Sequence, residues 1–409
     1  MTTHLTNNLT NSTFRFRFCI WLVGVSFVLF QFFLQLSSGV IINHIMLEMN
    51  LTALMAGLLS SSFYFIYTTL QLPVGLLFDR KNTRHLLAYS ALLCSVGCII
   101  FSKSTGLLGL FIGRIIIGGG SAFAFVGLSH LLREYYPAKQ FAFMLGLSET
   151  LGFIATAIGI IGMGEFIAHW GWQTFMLGAA GVGCIISSLC WRFIPNSVEQ
   201  THQPHSKNSL FDCLNKHQIW LNGLFVGLSF SVVTVFGALW AIPFIQIKLG
   251  CHIEKASLIC AFYFIGTGIS CPLFGFLANY VTHRRLLILS SCLTTAFLLL
   301  MLLYLPIKND ITITLLTFMI GVSSGAYMLS YSISNELAPP RLQSTLMGFT
   351  NTLAVLFALI LQPVVGYLMD CFDGTGHYTL FDYQKALLLV PISLFIASFL
   401  VLFLPEKKD

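Results

Sequence analysis

The sequence predicts an all-α membrane protein with twelve transmembrane helices arranged as two pseudo-symmetric six-helix bundles. Three observations support this: the composition, the length of the apolar runs, and a repeat between the two halves of the chain. Of the 409 residues, 56% are hydrophobic and 9% are charged, whereas a soluble domain carries about 25% charged residues. So few charges cannot cover a water-exposed surface, so lipid surrounds most of the chain.

The apolar runs have the length of membrane-spanning helices. A helix needs about 20 apolar residues to cross the hydrocarbon core, and only helices or closed barrels satisfy their backbone there. The runs are too long for barrel strands. We place spans 1–6 at 18–41, 53–78, 86–102, 107–132, 140–164 and 173–194, and spans 7–12 at 219–245, 256–279, 286–305, 312–335, 343–368 and 385–404.

The longest polar segment divides the chain after span 6. The predicted organisation is therefore an N-terminal bundle of residues 1–195, a cytoplasmic linker of residues 196–217 and a C-terminal bundle of residues 218–409. With the N-terminus inside, 15 of the 21 Lys and Arg residues fall in cytoplasmic segments, and only five fall on the other side. Basic residues concentrate in cytoplasmic loops, so we expect a multi-pass inner-membrane protein with both termini in the cytoplasm. The net charge of +6 then reflects topology and not a nucleic-acid partner.

The second half repeats short patterns of the first half, at offsets of 200 and 202 residues. The recurring positions are Gly75, Leu77 and Arg84 with Gly275, Leu277 and Arg284, and Glu134, Gly146 and Gly164 with Glu336, Gly348 and Gly366. Paired offsets in the same order are hard to obtain by chance. They indicate two parallel bundles related by an axis along the membrane normal, a pattern typical of secondary transporters.

The segment from Gly75 to Arg84, GLLFDRKNTR, lies at the cytoplasmic end of span 2 and in the 2–3 loop. It resembles the loop signature G-x-L-x-D-R-x-G-R-R of the major facilitator superfamily, and departs from it at the eighth and ninth positions. The candidate gating residues are Gly75, Asp79, Arg80, Arg84 and, in the second half, Arg284. Gly75 permits close helix contact, and Asp79 can cap a helix start or pair with a basic residue. The alternative is an ordinary basic cytoplasmic loop.

Other segments extend this resemblance over nearly the whole chain. Arg114-Ile-Ile-Ile-Gly-Gly-Gly in span 4 resembles the superfamily element R-x-x-x-G-x-G, and Trp170-Gly-Trp-Gln-Thr-Phe before span 6 resembles its W-G-W-R-x-F turn. The resemblance implies transport by alternating access, a monomer, and a central cavity lined by spans 1, 4, 7 and 10. The segment from Tyr64 to Arg80 further resembles the phagosomal nutrient transporter group, whose members import amino acids or nucleosides.

Two charged residues lie inside predicted spans. Arg114 is central in span 4, and Glu149 is the only acidic residue that we place well inside a span. A charge at the bilayer centre costs at least about 2.5–3.5 kcal/mol on insertion scales, so it usually faces a cavity or a partner. We expect the two residues to be counter-ions and propose them as proton-coupling residues, with Glu149 as the proton site. A static structural ion pair is the alternative.

Polar side chains in the apolar spans are candidates for contacts with a substrate. Gln31 and Gln35 share one face of span 1, because residues four apart are neighbours on a helix. The candidate substrate-binding residues are Gln31, Gln35, Tyr64, Trp240, Ser324, Tyr327 and Tyr331, with Asn351 and Gln362 in span 11 as weaker candidates. For any single Ser or Thr, a helix–helix hydrogen bond is the simpler interpretation.

The sequence therefore predicts a secondary active transporter that imports a small polar organic solute, an amino acid being one candidate, together with protons. Its expected partners are that solute, protons and membrane lipids. Efflux of a drug or siderophore by proton antiport is an alternative, although the superfamily's antiporter proline is absent from span 5. A non-transporting membrane sensor or complex subunit is an alternative of another class. The sequence contains no pattern typical of an enzyme, a metal site or a cofactor site.

Overall fold

The computed structural model describes residues 2–36, 38–78, 81–196, 215–280, 283–337, 343–372 and 378–406, and these contain helices and turns but no strand. The first six spans are formed by Thr2–Leu36 with Ser38–Met49, Ala53–Phe78, Thr83–Lys103, Leu107–Tyr135 and Ala138–Phe193, the last helix containing spans 5 and 6. The second six are formed by His217–Ser231 with Val232–Trp240 and Ala241–Leu249, Ile253–Tyr280, Arg284–Tyr304, Asp310–Ser324 with Gly325–Met328 and Leu329–Leu337, Gln343–Phe372, and Leu380–Leu387 with Leu389–Val401.

Twelve crossings are confirmed by the helix lengths. Eleven apolar stretches of the described residues are long enough to span a membrane, and one of them, Met144–Phe193, has 50 residues. At about 1.5 Å per residue this stretch is more than twice as long as the hydrocarbon core is thick, about 30 Å. Gly171 interrupts it with φ 77° and ψ 157°, a conformation that glycine adopts without steric cost. The stretch is therefore two spans joined at Gly171.

The turn at Gly171 is held against span 1. The Trp172 indole donates a hydrogen bond to the Glu48 carboxylate at 2.7 Å, and Trp170 is 69% exposed. An exposed tryptophan at the end of a span agrees with the interfacial anchor that the sequence suggests. Most of the predicted linker, residues 197–214, lies outside the described residues, so the domain boundaries stay a prediction.

Two spans of the predicted cavity depart from regular α-helix. The middle of span 7, Val232–Trp240, is a π-helix, and span 10 contains the 3₁₀ segment Gly325–Met328. Such segments often mark functional sites.

The two halves approach most closely at one end of the molecule. We call the end with the 1–2 and 7–8 connections the distal end, and the end with the 2–3 and 4–5 connections the proximal end. A Cβ atom on Gly39 would lie 2.8 Å from the Leu239 carbonyl oxygen of span 7, and one on Gly57 would lie 2.5 Å from the Gln362 carbonyl oxygen of span 11. Small residues permit such backbone contact between membrane helices. Asn43 also donates to Gln246 at 2.6 Å, so the distal end is closed.

A carboxylate from span 11 caps the start of span 2 at this closed end. Asp370 accepts hydrogen bonds from the backbone N–H groups of Ala53 at 2.9 Å and Leu54 at 3.0 Å. The Tyr378 hydroxyl donates to Asp370 at 2.7 Å and accepts from the Ala53 N–H, also at 2.7 Å. The first N–H groups of a helix lack intrahelical partners and carry partial positive charge, so Asp370 joins the two halves electrostatically. At the repeat offset of 202, the corresponding residue is Ala168.

Substitution of Asp370 by alanine should weaken the distal closure. Loss of a helix cap costs roughly 0.5–2 kcal/mol, so we expect Asp370→Ala to lower the melting temperature in detergent and to increase labelling of a cysteine placed at Asn43. Asp310→Ala is the matched control, because Asp310 pairs with Lys255 inside the second half and both side chains are 47% exposed. Exposed pairs contribute little. Equal melting and equal labelling of the two variants would contradict a role for the Asp370 cap.

Candidate functional site

Two groups of polar side chains lie between the halves in the middle of the spans. We call Gln31, Gln35, Tyr64 and Gln362 the distal cluster, and Glu149, Tyr67, Tyr327, Tyr331 and Asn351 the carboxylate cluster. Along span 2, Tyr64 precedes Tyr67 by one turn, and along span 11 Gln362 follows Asn351 by three turns. Because spans 2 and 11 run in opposite directions, Tyr64 and Gln362 are both nearer the distal end. Each cluster takes residues from both halves.

The distal cluster contains buried polar atoms without partners. Gln31 donates to Gln35 one turn later, and the Gln362 amide nitrogen donates to the Thr234 carbonyl at 2.7 Å. The Tyr64 hydroxyl lies beside Gln35 and Gln362. Nevertheless Gln31 Oε1, the Tyr64 hydroxyl and Gln362 Oε1 have no hydrogen-bond partner of good geometry among the described residues. The great majority of buried polar side-chain atoms are paired with protein or water, so these atoms are suited to bind a ligand.

Arg114 supplies a positive charge next to this cluster. It is 7% exposed, and its guanidinium donates to the Leu34 carbonyl at 2.9 Å and to the Ser38 hydroxyl. Both residues belong to span 1. The guanidinium also lies 5.1 Å from the centre of the Phe63 ring, and its charge acts on the Tyr64 hydroxyl. Arg114 therefore connects span 4 with span 1 and places a cation beside Tyr64.

The expected ion pair between Arg114 and Glu149 is wrong. The Arg114 partners are in span 1, whereas Glu149 makes no hydrogen bond or ion pair with any residue in the described ranges. The physical reason is the rotation of span 4. Gly118, one turn after Arg114, packs against the backbone of Phe63, so this face of span 4 contacts spans 1 and 2 and not span 5.

The carboxylate cluster lies where span 5 faces the second half. A Cβ atom on Gly268 of span 8 would lie 3.2 Å from Phe153, one turn after Glu149. The partly buried Glu149 carboxylate acts electrostatically on Tyr67, Tyr327 and Tyr331. These are hydrogen-bonding groups, and no cation lies among them. The cluster can therefore bind a proton at the interface between the halves.

The neighbours of Glu149 are fixed by their own contacts. Tyr331 donates to the Asn351 side chain at 2.8 Å. The Tyr327 hydroxyl lies 3.5 Å from the thiol of Cys271 in span 8. Cys271 contributes to this cluster although the sequence gives no sign of it, because it looks like the other cysteines inside predicted spans.

Two of the predicted substrate-binding residues lie apart from both clusters. The Ser324 hydroxyl donates to the Gly321 carbonyl at 2.8 Å, which is a hydrogen bond within its own span. Trp240 is fully buried and packs edge-on against Tyr383 at 6.3 Å, inside the second half. By contrast, Gln31, Gln35 and Tyr64 are brought together, as are Tyr327 and Tyr331. Gln362 was expected to be a weaker candidate because span 11 was not expected to line the cavity.

The predicted gating arginines form bonds inside their own halves. Arg84 donates to the Trp191 carbonyl and, at 3.0 Å, to the Asn196 side chain. Arg284 donates to the Glu336 carboxylate at 2.7 Å and to the Pro405 carbonyl at 2.9 Å. Each arginine thus connects its helix start with the last span of the same half.

Of the remaining gating residues, the structure describes only Gly75. No described atom lies within 4 Å of a Cβ atom added to Gly75, so the expected close helix contact is absent there. Asp79 and Arg80 lie outside the described residues. A gating role for the 2–3 loop therefore stays a prediction.

The sequence matches the family model for the Major Facilitator Superfamily over residues 22–360. A relative described as the uncharacterized transporter YybO of Bacillus subtilis is 24% identical over 388 residues, which cover 86% of this chain and 87% of the relative. The probable galactarate/D-glucarate transporter GarP of Escherichia coli is 20% identical, covering 86% and 88% of the two chains. The D-galactonate transporter of Escherichia coli O6:H1 is 24% identical, covering 85% and 87%.

Solved transporter structures share this fold. A bacterial homologue of the human lysosomal transporter Spinster, in an inward-facing and occupied conformation, superposes with a TM-score of 0.78 at 16% identity and covers 95% of this chain and 96% of its own. The nucleoside transporter NupG superposes with a TM-score of 0.73 at 13% identity, covering 95% and 99%. At such low identity the likeness shows the fold alone.

Substitution of Gly57 by alanine should displace span 11 from the distal cluster. The added Cβ would meet the backbone of Gln362 at 2.5 Å and of Pro363 at 2.8 Å, and overpacking costs typically about 1–3 kcal/mol. We expect a lower melting temperature and weaker binding of any solute that stabilises the unaltered protein. Gly162→Ala is the control, because no described atom lies within 4 Å of its Cβ position. A Gly57→Ala variant that matches the control in both measurements would contradict the close contact.

Proposed function

The chain belongs to the Major Facilitator Superfamily, and we propose that it imports a small polar organic acid together with protons by alternating access. The superfamily and the alternating-access fold make the chain a secondary transporter embedded in a membrane through its twelve spans. The observation that carries the finer proposal is the position of Glu149, a carboxyl group between the two halves that has no cationic partner among the described residues. The positive charge of Arg114 beside the distal cluster supports an acidic substrate.

Proton coupling requires a group whose proton affinity changes as the protein alternates between states. Burial, nearby charges and hydrogen bonds all change the proton affinity of a carboxylate. Glu149 lies at the interface of the halves, so a relative motion of the halves changes all three. Arg114 and its partners Leu34 and Ser38 all belong to the first half. A relative motion of the halves therefore leaves these bonds unchanged, which suits a fixed charge. We therefore assign the proton to Glu149 and an anion-stabilising role to Arg114.

The proposed substrate carries a carboxylate. Arg114 creates a positive field at Tyr64, and opposite charges attract strongly where water is excluded. The names of several relatives concern galactarate, D-glucarate, hexuronate and D-galactonate, which are all carboxylates. The amino acid suggested by the sequence also carries a carboxylate. The finer resemblance to the phagosomal group stays a prediction.

The basic loops support a location in the inner membrane and an orientation with the proximal end inside the cell. The excess of Lys and Arg in alternate connections favours an inner-membrane protein with both termini in the cytoplasm. The proximal end is then cytoplasmic, and the closed distal end faces outward. We propose that the chain acts as a monomer, as the superfamily resemblance implies. Uptake into right-side-out vesicles, compared with inverted ones, separates import from efflux of a drug or siderophore.

Substitution of Glu149 by glutamine should uncouple transport from the proton gradient. Glutamine keeps the shape but cannot ionise, so we expect Glu149→Gln in liposomes to lose gradient-driven accumulation while keeping counterflow exchange of the same solute. Glu165→Gln is a control on the same span, because Glu165 is exposed near its distal end. Accumulation by Glu149→Gln at the level of the control would show that the proton binds elsewhere.

A thermal-shift panel tests the substrate class. We expect D-galactonate, D-glucarate or a hexuronate to raise the melting temperature more than amino acids or nucleosides, since binding to the folded state stabilises it by about 2.7 kcal/mol at 100 times Kd. An Arg114→Gln variant should lose this selective stabilisation. Stabilisation by amino acids alone would reject the proposed class. A protein that binds a panel member yet moves nothing in liposomes would favour the sensor alternative.

A further inference from the structure

We propose that Gln362 is a specificity-determining residue whose side-chain oxygen accepts a hydrogen bond from a hydroxyl group of the substrate. The site would then favour hydroxylated carboxylic acids over amino acids and over acids without hydroxyl groups. This inference rests on the proposed function, because it names the substrate class of the same site. It depends on how the Gln362 amide is held, on what its free atom faces, and on the local charge.

One contact fixes the orientation of the Gln362 amide. Its nitrogen donates to the Thr234 carbonyl at 2.7 Å, and Thr234 lies in the π-helical segment Val232–Trp240. A reversed amide would place two oxygen atoms, both acceptors, against each other. The bond to Thr234 therefore fixes the amide nitrogen on the side of span 7, and Oε1 is on the other side of the amide group. The close backbone contact at Gly57 holds span 11 at this position.

The free oxygen faces groups that leave it unpartnered. Gln362 is completely buried, and its Oε1 accepts no hydrogen bond. The Tyr64 hydroxyl lies beside the Gln362 side chain and has no hydrogen-bond partner of good geometry among the described residues. Leaving a buried acceptor unpaired costs about 1–3 kcal/mol. The contact between spans 7 and 11 uses only the amide nitrogen of Gln362, so it does not explain why an oxygen is present. A hydroxyl can donate to Oε1 while accepting from Tyr64, so one substrate hydroxyl satisfies both atoms.

The local charge distinguishes a hydroxyl donor from an ammonium donor. The distal cluster consists of three glutamines and one tyrosine, and its nearest charge is the Arg114 guanidinium acting on Tyr64. Glu149 acts instead on Tyr67, Tyr327 and Tyr331. A cation beside the cluster repels an ammonium and attracts a carboxylate. The donor that reaches Gln362 is therefore uncharged, which selects a hydroxylated acid.

A comparison of D-galactonate with its monodeoxy analogues in two proteins tests this contact. The ligands are D-galactonate and a set of monodeoxy galactonates, each lacking a single hydroxyl, and the second protein is Gln362→Met, which keeps the length but removes both amide groups. We expect Gln362→Met to weaken D-galactonate binding by about tenfold, as for a lost hydrogen-bond partner in a buried site. For one monodeoxy ligand the change between the two proteins should be less than about twofold, since its contacted hydroxyl is already absent.

A second glutamine provides the matched control. Gln384 of span 12 also donates its amide nitrogen to a backbone carbonyl, that of Leu303, at 2.6 Å, but it lies away from the distal cluster. Gln384→Met should change stability without changing the ratio of affinities for D-galactonate and its deoxy analogues. If Gln362→Met does not fold, Gln362→Asn withdraws the oxygen by about one bond length and should give the same selective loss.

Each outcome decides the matter. An equal loss of affinity for D-galactonate and every monodeoxy ligand means that Gln362 only connects spans 7 and 11, and the inference fails while the proposed function stands. Loss of affinity for D-galactonate while one monodeoxy ligand keeps its affinity supports the inference. Unaltered protein that binds no hydroxylated acid in the panel rejects the proposed substrate class itself, and the role of Gln362 with it.

Discussion

A polar group in the hydrocarbon core of a membrane has no water to bind, so its partners must come from the protein or from a solute. This constraint makes the spans helical and pairs most polar atoms in the described residues. Arg114 obeys it by donating to Leu34 and Ser38 of span 1. Among the exceptions in the described residues, the unpartnered atoms of Gln31, Tyr64 and Gln362 lie together between the halves. In a transporter, such a group of exceptions is the natural place for a polar solute.

The same constraint separates the tasks of the two clusters. The distal cluster has neutral hydrogen-bonding groups beside a fixed cation, whereas the carboxylate cluster has an acidic group among tyrosines. The two are connected by spans 2 and 11, which contribute to both. A solute bound by Tyr64 and Gln362 therefore acts on the helices that carry Tyr67 and Asn351. This arrangement gives a physical route by which solute binding and protonation of Glu149 influence each other.

Much of the fold could be predicted because it depends on composition and length. Span 2 was placed at 53–78 and is Ala53–Phe78, and the double span of Ala138–Phe193 turns within the predicted 5–6 connection. Helix rotation is harder to predict, since glycine-rich spans such as span 4 have no strongly polar face. For this reason the pairing of Arg114 with Glu149 was wrong. The π-helix of span 7 was also missed, because Val232–Trp240 has the composition of an ordinary apolar helix.

The one-sided cap at the distal end has a mechanical meaning. Asp370 and Tyr378 join span 11 to the start of span 2 through backbone N–H groups, whereas alanine occupies the related position, Ala168, in span 5. Parting the halves on the flank of spans 5 and 8 leaves that cap intact. We therefore expect the outward opening to be wedge-shaped. Spans 2 and 11 would stay in contact, and the halves would separate most between spans 5 and 8. A solute would then enter obliquely from the flank of spans 5 and 8 and reach Gln362 before Glu149, which lies farther from the distal end.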